Sequence, residues 1–154
     1  MFYLISIVIV LIAFVSMELV AYLTHKYIMH GFLWTLHKDH HDHSNKSKFE
    51  RNDYFFVIFA IPGILNILYG SSDLSAPYLW IGLGITLYGA TYFFVHDLFI
   101  HQRIKVLRNT SNPYLLLLRR AHKIHHKSIR KNGGESFGML LFIKHKNKKT
   151  AKEH

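Results

Sequence analysis

The sequence contains no cysteine, and its acidic residues are few. Without cysteine the chain cannot form disulfides, thiolate zinc sites, iron–sulfur clusters or thiolate-ligated haem. Nine Asp and Glu stand against nineteen Lys and Arg, which gives a formal charge of +10 over 154 residues. At this length we expect one domain rather than two.

The apolar residues and the charges occupy different stretches of the chain. Half of all residues are hydrophobic and 15% are aromatic. Nucleic-acid binding is not indicated, because the aromatic residues lie in apolar runs rather than between the lysines. A membrane protein with a basic, cytosolic-side flank facing anionic lipid explains the composition better.

Three apolar runs are long enough to cross a membrane as helices, namely residues 2–22, 54–70 and 78–95. The first has one charge, Glu18, and we expect an uncleaved helix because it lacks the basic start and cleavage site of a signal peptide. Asn52 or Asp53 is suited to cap the second, which Pro62-Gly63 should kink. The third contains a stripe of small residues that favours close helix packing: Gly82, Thr86 and Gly89.

Ten of the thirteen histidines follow one pattern that occurs twice. A pair five positions apart is followed by a triplet at positions i, i+3 and i+4. The first set is His25, His30, His37, His40 and His41, and the second is His96, His101, His122, His125 and His126. Only His43, His145 and His154 lie outside it. Because i, i+3 and i+4 share a helical face, each triplet can aim three imidazoles at one point.

The two pairs do not fit one face of an α-helix, since positions five apart differ by about 140°. We expect them at helix ends, where the second histidine turns inward from the unwinding chain, and Gly31 is a residue type that commonly ends a helix. Ten neutral imidazoles are more than one ion can use, and imidazole suits iron, zinc, copper and nickel. The spacing therefore predicts a two-metal site.

The order of the helices brings the two histidine sets together. The first helix delivers residues 25–41 to one side of the membrane, and a hairpin of the other two returns the chain there with residues 96–126. All nineteen Lys and Arg fall on this side, whereas residues 1–3 and the turn at 71–77 contain none. The positive-inside rule makes this side cytoplasmic.

The fold that follows is all-α. We expect an integral membrane bundle of three long apolar helices and a histidine-rich helical cap on the cytosolic side, with room for a fourth, short or interfacial helix. After the turn at Asn112-Pro113, a helix should contain residues 115–127. Residues 115–118 and 137–143 are apolar but too short to cross, so they should lie in the interface or cover the metal site. We expect a single domain at 1–143 and a basic, disordered tail at 144–154.

The few acids near the histidines favour redox or oxygen chemistry over hydrolysis, because hydrolytic two-metal sites typically recruit bridging carboxylates. Four acids are candidates to accept hydrogen bonds from the outer imidazole nitrogens: Glu18, Asp39, Asp42 and Asp97. The alternatives are a structural bond to a neighbouring helix or an interfacial position for Glu18, and a solvated or capping role for the aspartates. A hydrophobic bundle beside the site indicates a lipophilic substrate.

Several segments resemble the bacterial β-carotene 3-hydroxylases, within the wider membrane fatty acid hydroxylase and sterol desaturase group. They are HKYIMHGFLWTLHKDHH at 25–41, FERND at 49–53, FVHD at 94–97, HQR at 101–103, RAHKIHH at 120–126 and SFG at 136–138. Trp34 before the first triplet and Asp97 after His96 are discriminating details. The resemblance runs from about Met17 to Phe142.

This resemblance implies an oxygen-dependent di-iron monooxygenase of the bacterial inner membrane. It would hydroxylate C3 of each β-ionone ring, converting β-carotene to β-cryptoxanthin and then zeaxanthin. The ten patterned histidines would hold the two irons. Electrons would come from NAD(P)H through a ferredoxin-type carrier, which basic residues on the cytoplasmic face would dock.

Three alternatives remain at the level of sequence. The nearest is a sterol or fatty acid hydroxylase or desaturase of the same metal class. A membrane metal carrier would need polar residues along a path through the bilayer, and only Glu18 and Asn66 are candidates. A bis-histidine haem protein would use two of the ten histidines.

Overall fold

The regular elements in the computed structural model are all helical, within the described residues 1–42, 44, 47, 49–105 and 107–141. They are α1 (Phe2–Leu23) with a π-helical continuation (Thr24–Phe32), α2 (Trp34–His37) with a 3-10 turn (Lys38–His41), α3 (Asp53–Gly70), α4 (Tyr78–Phe93) with a π-helical continuation (Phe94–Ile100), and α5 (Pro113–His125). The all-α class is confirmed. His43, the end of the expected domain at 142–143 and the expected tail at 144–154, with His145 and His154, lie outside the described residues.

Three stretches are long and apolar enough to cross a membrane, as expected: Phe2–Phe32, Asp53–Gly70 and Tyr78–Ile100. Large apolar side chains along them are exposed, which is the surface that lipid covers in a membrane protein. α3 runs uninterrupted through Pro62, and the Asn66 amide donates to the Pro62 carbonyl at 2.8 Å. Asn112 caps the short helix α5, and its side chain accepts the N–H groups of Tyr114 and Leu115.

α4 packs against both other long helices, and glycines at the contacts let the backbones approach. A Cβ at Gly82 would lie 2.8 Å from the Gly63 carbonyl oxygen, and one at Gly84 would lie 2.6 Å from the Val10 carbonyl oxygen. The close packing expected at Gly82 is therefore present. Gly89 differs, because a Cβ there would meet nothing within 4 Å.

As expected, the second histidine of each pair lies at a helix end: His30 precedes the interruption at Gly31, and His101 follows the last helical residue, Ile100. The turns that connect the two histidines of each pair are π-helical. In such a turn each N–H bonds to the carbonyl five residues earlier, which brings positions i and i+5 into register. The His101 N–H accordingly donates to the His96 carbonyl at 2.9 Å. Gly31 does interrupt the helix after His30, but at φ −103° and ψ −124° rather than in a left-handed cap.

One buried carboxylate joins the first helix to the C-terminal segment. Glu18 is 7% exposed, and one of its oxygens accepts the Tyr88 hydroxyl from α4 at 2.7 Å. The other oxygen accepts the successive backbone N–H groups of Met139, Leu140 and Leu141 at 2.9, 2.9 and 2.8 Å. Four donors compensate for burying the charge. None of them is an imidazole, so Glu18 has the structural role weighed above.

Replacing Glu18 with Gln should destabilise the protein by about 3 kcal/mol or more, because hydrogen bonds to charged groups contribute about 1.5–3 kcal/mol each. The glutamine side chain would also place its NH₂ group, which is a donor, against groups that are themselves donors. The measurement is the unfolding midpoint of purified protein in detergent. Ser6→Ala is the control, since the Ser6 hydroxyl donates to the Phe2 carbonyl within α1 itself. Equal midpoints for Glu18→Gln and wild type would contradict this role.

Candidate metal centre

The ten patterned histidines converge in two adjoining clusters. The first cluster is His25, His30, His37, His41 and His125, and the second contains His40, His101, His122 and His126. Within each group, one ring nitrogen from every residue lies within 4.8 Å of the others. His96 adjoins the second cluster, because its Nε2 is 3.1 Å from Nε2 of His40. We count it as a member.

Each triplet divides between the clusters instead of aiming at one point. His37 and His41 stay together, with their Nε2 atoms 3.1 Å apart, whereas His40 joins the second cluster. The later triplet mirrors this, since only its middle residue, His125, lies in the first cluster. On the α-helix α5, positions i and i+4 differ by about 40° but i+3 and i+4 by about 100°. The middle histidine of the later triplet, His125, therefore points away from His122 and His126.

Neutral acceptors orient the first cluster. The Nδ1 atoms of His25, His30 and His125 donate to the backbone carbonyls of Phe137, Lys131 and Glu135 at 3.0, 3.0 and 2.9 Å. His37 Nδ1 donates to Asn52 Oδ1 at 2.7 Å. Because an oxygen acceptor requires the proton on Nδ1, the lone pair of each of these imidazoles is on Nε2.

The segment at 131–141 also covers the first cluster, as expected for the apolar residues from 137 onward. The Phe137 ring centroid lies 5.4, 5.2 and 5.2 Å from the centroids of His25, His30 and His125. The Glu18 hydrogen bonds hold the same segment two to four residues further on, at Met139, Leu140 and Leu141. The carboxylate in the membrane helix thus positions the carbonyls that orient these histidines.

Carboxylates orient two histidines of the second cluster. His40 Nδ1 lies 2.6 Å from Glu50 Oε2, and His96 Nδ1 lies 3.1 Å from Asp97 Oδ2. Arg103 pairs with Asp97 at 3.0 Å and with Asp53 at 2.6 Å. The hydrogen bond to Asp53 raises the pKa of Arg103, whereas burial raises the pKa of Glu50 to about 7. The two clusters therefore differ in the charge behind them.

The inner nitrogens lie too close together for groups that carry only lone pairs. The Nε2–Nε2 distances are 3.1 Å for His25–His37, 3.2 Å for His30–His125 and 3.1 Å for His40–His96. With the protons on the outer nitrogens, neither partner can donate, and the contact is repulsive unless a cation lies between them. A metal–imidazole bond of about 2.1 Å places neighbouring ligands about 3 Å apart. These residues fit metal ions.

Burial keeps the imidazoles neutral. Desolvation, with repulsion from neighbouring imidazoles, lowers the pKa of His37 and His101 to about 2 and the pKa of His125 to about 3. The same effects hold the pKa of His40 and His122 well below the ordinary value. Neutral imidazoles bind metal without first releasing a proton.

The four acids singled out from the sequence have different surroundings. Asp97 contacts His96, and Glu18 contacts the segment over the first cluster. Asp39 accepts the backbone N–H of Arg51 at 2.7 Å. Asp42 is exposed and accepts the N–H and hydroxyl of Ser44 at 2.8 and 2.6 Å. Of the four, Asp97 accepts a hydrogen bond from an imidazole, that of His96 at 3.1 Å.

Sequence reasoning missed Glu50, Asn52 and Arg103 as partners in the site. Asn52 occupies the N-cap position of α3, but its side chain makes no capping bond there and accepts from His37 instead. Because asparagine is a common N-cap residue, nothing in the sequence indicated its hydrogen bond to His37. The available signal was the FERND segment at 49–53, which supplies both Glu50 and Asn52.

Two cavities reach the clusters, one apolar and one polar. The apolar cavity, about 300 Å³, lies among α1, α3 and α4 and touches His25 and His96. The polar cavity, about 690 Å³, reaches the second cluster beside Arg103 and Lys123. The histidine clusters can thus be reached through an apolar cavity and through a polar one.

Comparison with known proteins identifies the family. The fatty acid hydroxylase model matches residues 10–144. A beta-carotene hydroxylase of Pantoea ananas is 45% identical over 132 residues, 86% of this chain and 74% of the relative. That of Pseudescherichia vulneris is 41% identical over 137 residues, 89% of this chain and 77% of the relative. A chloroplastic beta-carotene 3-hydroxylase of Haematococcus lacustris is 40% identical over 131 residues, 82% of this chain and 40% of the relative.

No solved structure matches the chain. The relatives and the family model cover the segments that contain both histidine sets. They confirm the resemblance drawn from those segments. The chain belongs to the fatty acid hydroxylase family and, within it, to the group of the beta-carotene hydroxylases.

Proposed function

We propose that this protein is an O₂-dependent carotenoid hydroxylase. It adds hydroxyl groups at C3 and C3′ of β-carotene, giving β-cryptoxanthin and then zeaxanthin. The observation that carries the proposal is the pair of clusters of neutral imidazoles at the inner end of an apolar cavity among membrane helices. The names of the relatives supply the substrate.

The two clusters would hold two iron ions. The ligands are His25, His30, His37, His41 and His125 in the first cluster and His40, His96, His101, His122 and His126 in the second. When bound, the irons supply the activation of O₂ that hydroxylation of an inert C–H bond requires. Ligand sets made of nitrogen, with carboxylates only behind them, favour oxygen chemistry over hydrolysis.

The residues around the histidines hold the ligand set in place. Backbone carbonyls at 131–137 fix three imidazoles of the first cluster, and the Phe137 ring excludes water from them. Glu50 and Asp97 accept from His40 and His96, which fixes their orientation and makes them stronger electron donors. Arg103 balances the charge of these carboxylates. Asp39 accepts the backbone N–H of Arg51, next to Glu50 and Asn52.

The cellular setting follows from charge. The protein would lie in the bacterial inner membrane, and the positive-inside rule supports a cytoplasmic position for the metal centre and C-terminus. Electrons would come from NAD(P)H through a ferredoxin-type carrier. An acidic carrier would meet Arg103 and Lys123 at the polar cavity beside the second cluster. Residues 1–143 would form the catalytic domain, with 144–154 as a basic tail.

Expression in a β-carotene-accumulating bacterium should convert the pigment to β-cryptoxanthin and zeaxanthin, measured by chromatography and mass spectrometry. Growth under ¹⁸O₂ should label the new hydroxyl groups. Unchanged pigment, with iron and an electron donor present, would count against the proposal. Hydroxylated or desaturated sterol or fatty acid in the same cells would favour the alternative of a sterol or fatty acid hydroxylase or desaturase of the same metal class.

His125→Ala removes a ligand from the first cluster, and His122→Ala removes one from the second. Each substitution should abolish turnover and lower the amount of bound metal. Even loss of an outer partner costs about 10–100-fold in metal affinity or activity, so a ligand should cost at least as much. Metal analysis of the purified variants and pigment analysis of the cells measure both effects. His145→Ala and His154→Ala are controls outside the pattern. Full activity and metal content in the His125 variant would remove it from the ligand set.

Asp97→Asn should weaken metal retention by about 10–100-fold, because an amide is a poorer acceptor for an imidazole N–H than a carboxylate. Metal content after graded exposure to a chelator measures this loss. Asp73→Asn makes the same chemical change at an exposed site beside Ser75, in the turn between α3 and α4, and should behave as wild type. Equal metal loss from both variants would show that Asp97 does not support the second cluster.

A further inference from the structure

We propose that the apolar cavity among α1, α3 and α4 holds one ring end of the carotene, and that Gly89 sets how large an end group it admits. The inference rests on the proposed function, because the cavity opens onto the proposed metal ligands. The occupant is a cyclic hydrocarbon end group rather than a whole carotenoid.

The cavity runs from the membrane surface of the helices to both histidine clusters. At its inner end are His25 of the first cluster and His96 of the second. Along its wall lie Phe56 and Ile64, which are also 55% and 53% exposed. Side chains that both line a cavity and face the surroundings mark its mouth. Since these surroundings are lipid for α3, the substrate enters from the bilayer.

The wall offers hydrocarbon even where its residues are polar. The Thr86 hydroxyl donates to the Gly82 carbonyl at 2.8 Å, and the Tyr88 hydroxyl donates to Glu18 at 2.7 Å. The Asn52 side-chain oxygen accepts from His37. Because these polar groups already have hydrogen-bond partners within the protein, they need no polar partner on a ligand. A hydrocarbon ring therefore enters without leaving buried groups unpaired.

The volume fits one ring. At about 300 Å³, the cavity lies at the lower end of the range of about 300–1,000 Å³ found for sites that hold drug-sized ligands. A carotene has two rings joined by a long polyene and exceeds this space. One ring and the start of the polyene occupy the cavity while the rest stays in lipid. The two rings must then be hydroxylated in separate binding events, with β-cryptoxanthin released between them.

Gly89 lines the cavity without serving helix packing. A Cβ at Gly82 or Gly84 on the same helix would collide with a neighbouring backbone, whereas one at Gly89 would meet nothing within 4 Å. A glycine inside a helix is unfavourable relative to alanine. With no packing contact to explain it, the physical effect of Gly89 is to leave space in the cavity.

The first test is the series Gly89→Ala, Gly89→Leu and Gly89→Phe. Turnover of β-carotene should fall stepwise with side-chain size, by about tenfold or more for Leu and Phe, as a misfit in an apolar pocket costs about 10–200-fold. Metal content and the unfolding midpoint should stay at or above wild type. Leu87→Phe adds bulk to an exposed position of the same helix and should keep full turnover. Undiminished turnover in Gly89→Phe would overturn the proposal.

The second test needs no turnover. β-Ionone, which is one ring end with a short tail, should raise the unfolding midpoint of the wild-type protein by binding its folded state, and should raise that of Gly89→Phe much less. No rise in wild type, or an equal rise in both, would overturn the cavity assignment. A rise lost in Gly89→Phe, together with no carotene product from wild type, would support the cavity and remove the proposed hydroxylation instead.

Discussion

The structure depends on how the repulsion is relieved among imidazole nitrogens that face one another without a proton between them. Nε2 atoms stand 3.1 Å apart in His25–His37 and in His40–His96, and their protons are held on the outer nitrogens by oxygen acceptors. Only cations at the inner nitrogens make this arrangement favourable. The π-helical turns and the triplets that divide between the clusters position the inner nitrogens. The segment over the first cluster supplies acceptors for the outer nitrogens.

The outer acceptors divide the centre into two unequal halves. Carbonyls and an amide stand behind the first cluster, whereas Glu50 and Asp97, bridged by Arg103, stand behind part of the second. Carboxylates make imidazoles stronger donors to a metal, so the second cluster should favour the higher oxidation state of a bound iron. A chain with only nine acidic residues places several of them here. Glu18, at a distance from the imidazoles, secures the carbonyls of the first half.

The sequence alone predicted what depends on pattern: the three apolar helices, the ten histidines and the covering segment after residue 136. It did not predict the π-helical turns, because residues on an α-helix and on a π-helix are the same types. It predicted that all three histidines of a triplet meet at one point. Spacing defines a helical face, but it does not define which of two neighbouring clusters each histidine reaches. Asn52 and Gly89 were assigned a cap and a packing contact. Their actual surroundings depend on His37 and on an open cavity, which are long-range features that composition does not encode.

The central claim is that each cluster of histidines holds one iron. Iron analysis of the purified protein per chain, combined with Mössbauer spectroscopy of ⁵⁷Fe-grown material, tests it most directly. The account predicts two irons per chain in two distinguishable nitrogen environments, since the outer acceptors differ. A single iron, a haem spectrum, or protein that is active without iron would contradict it.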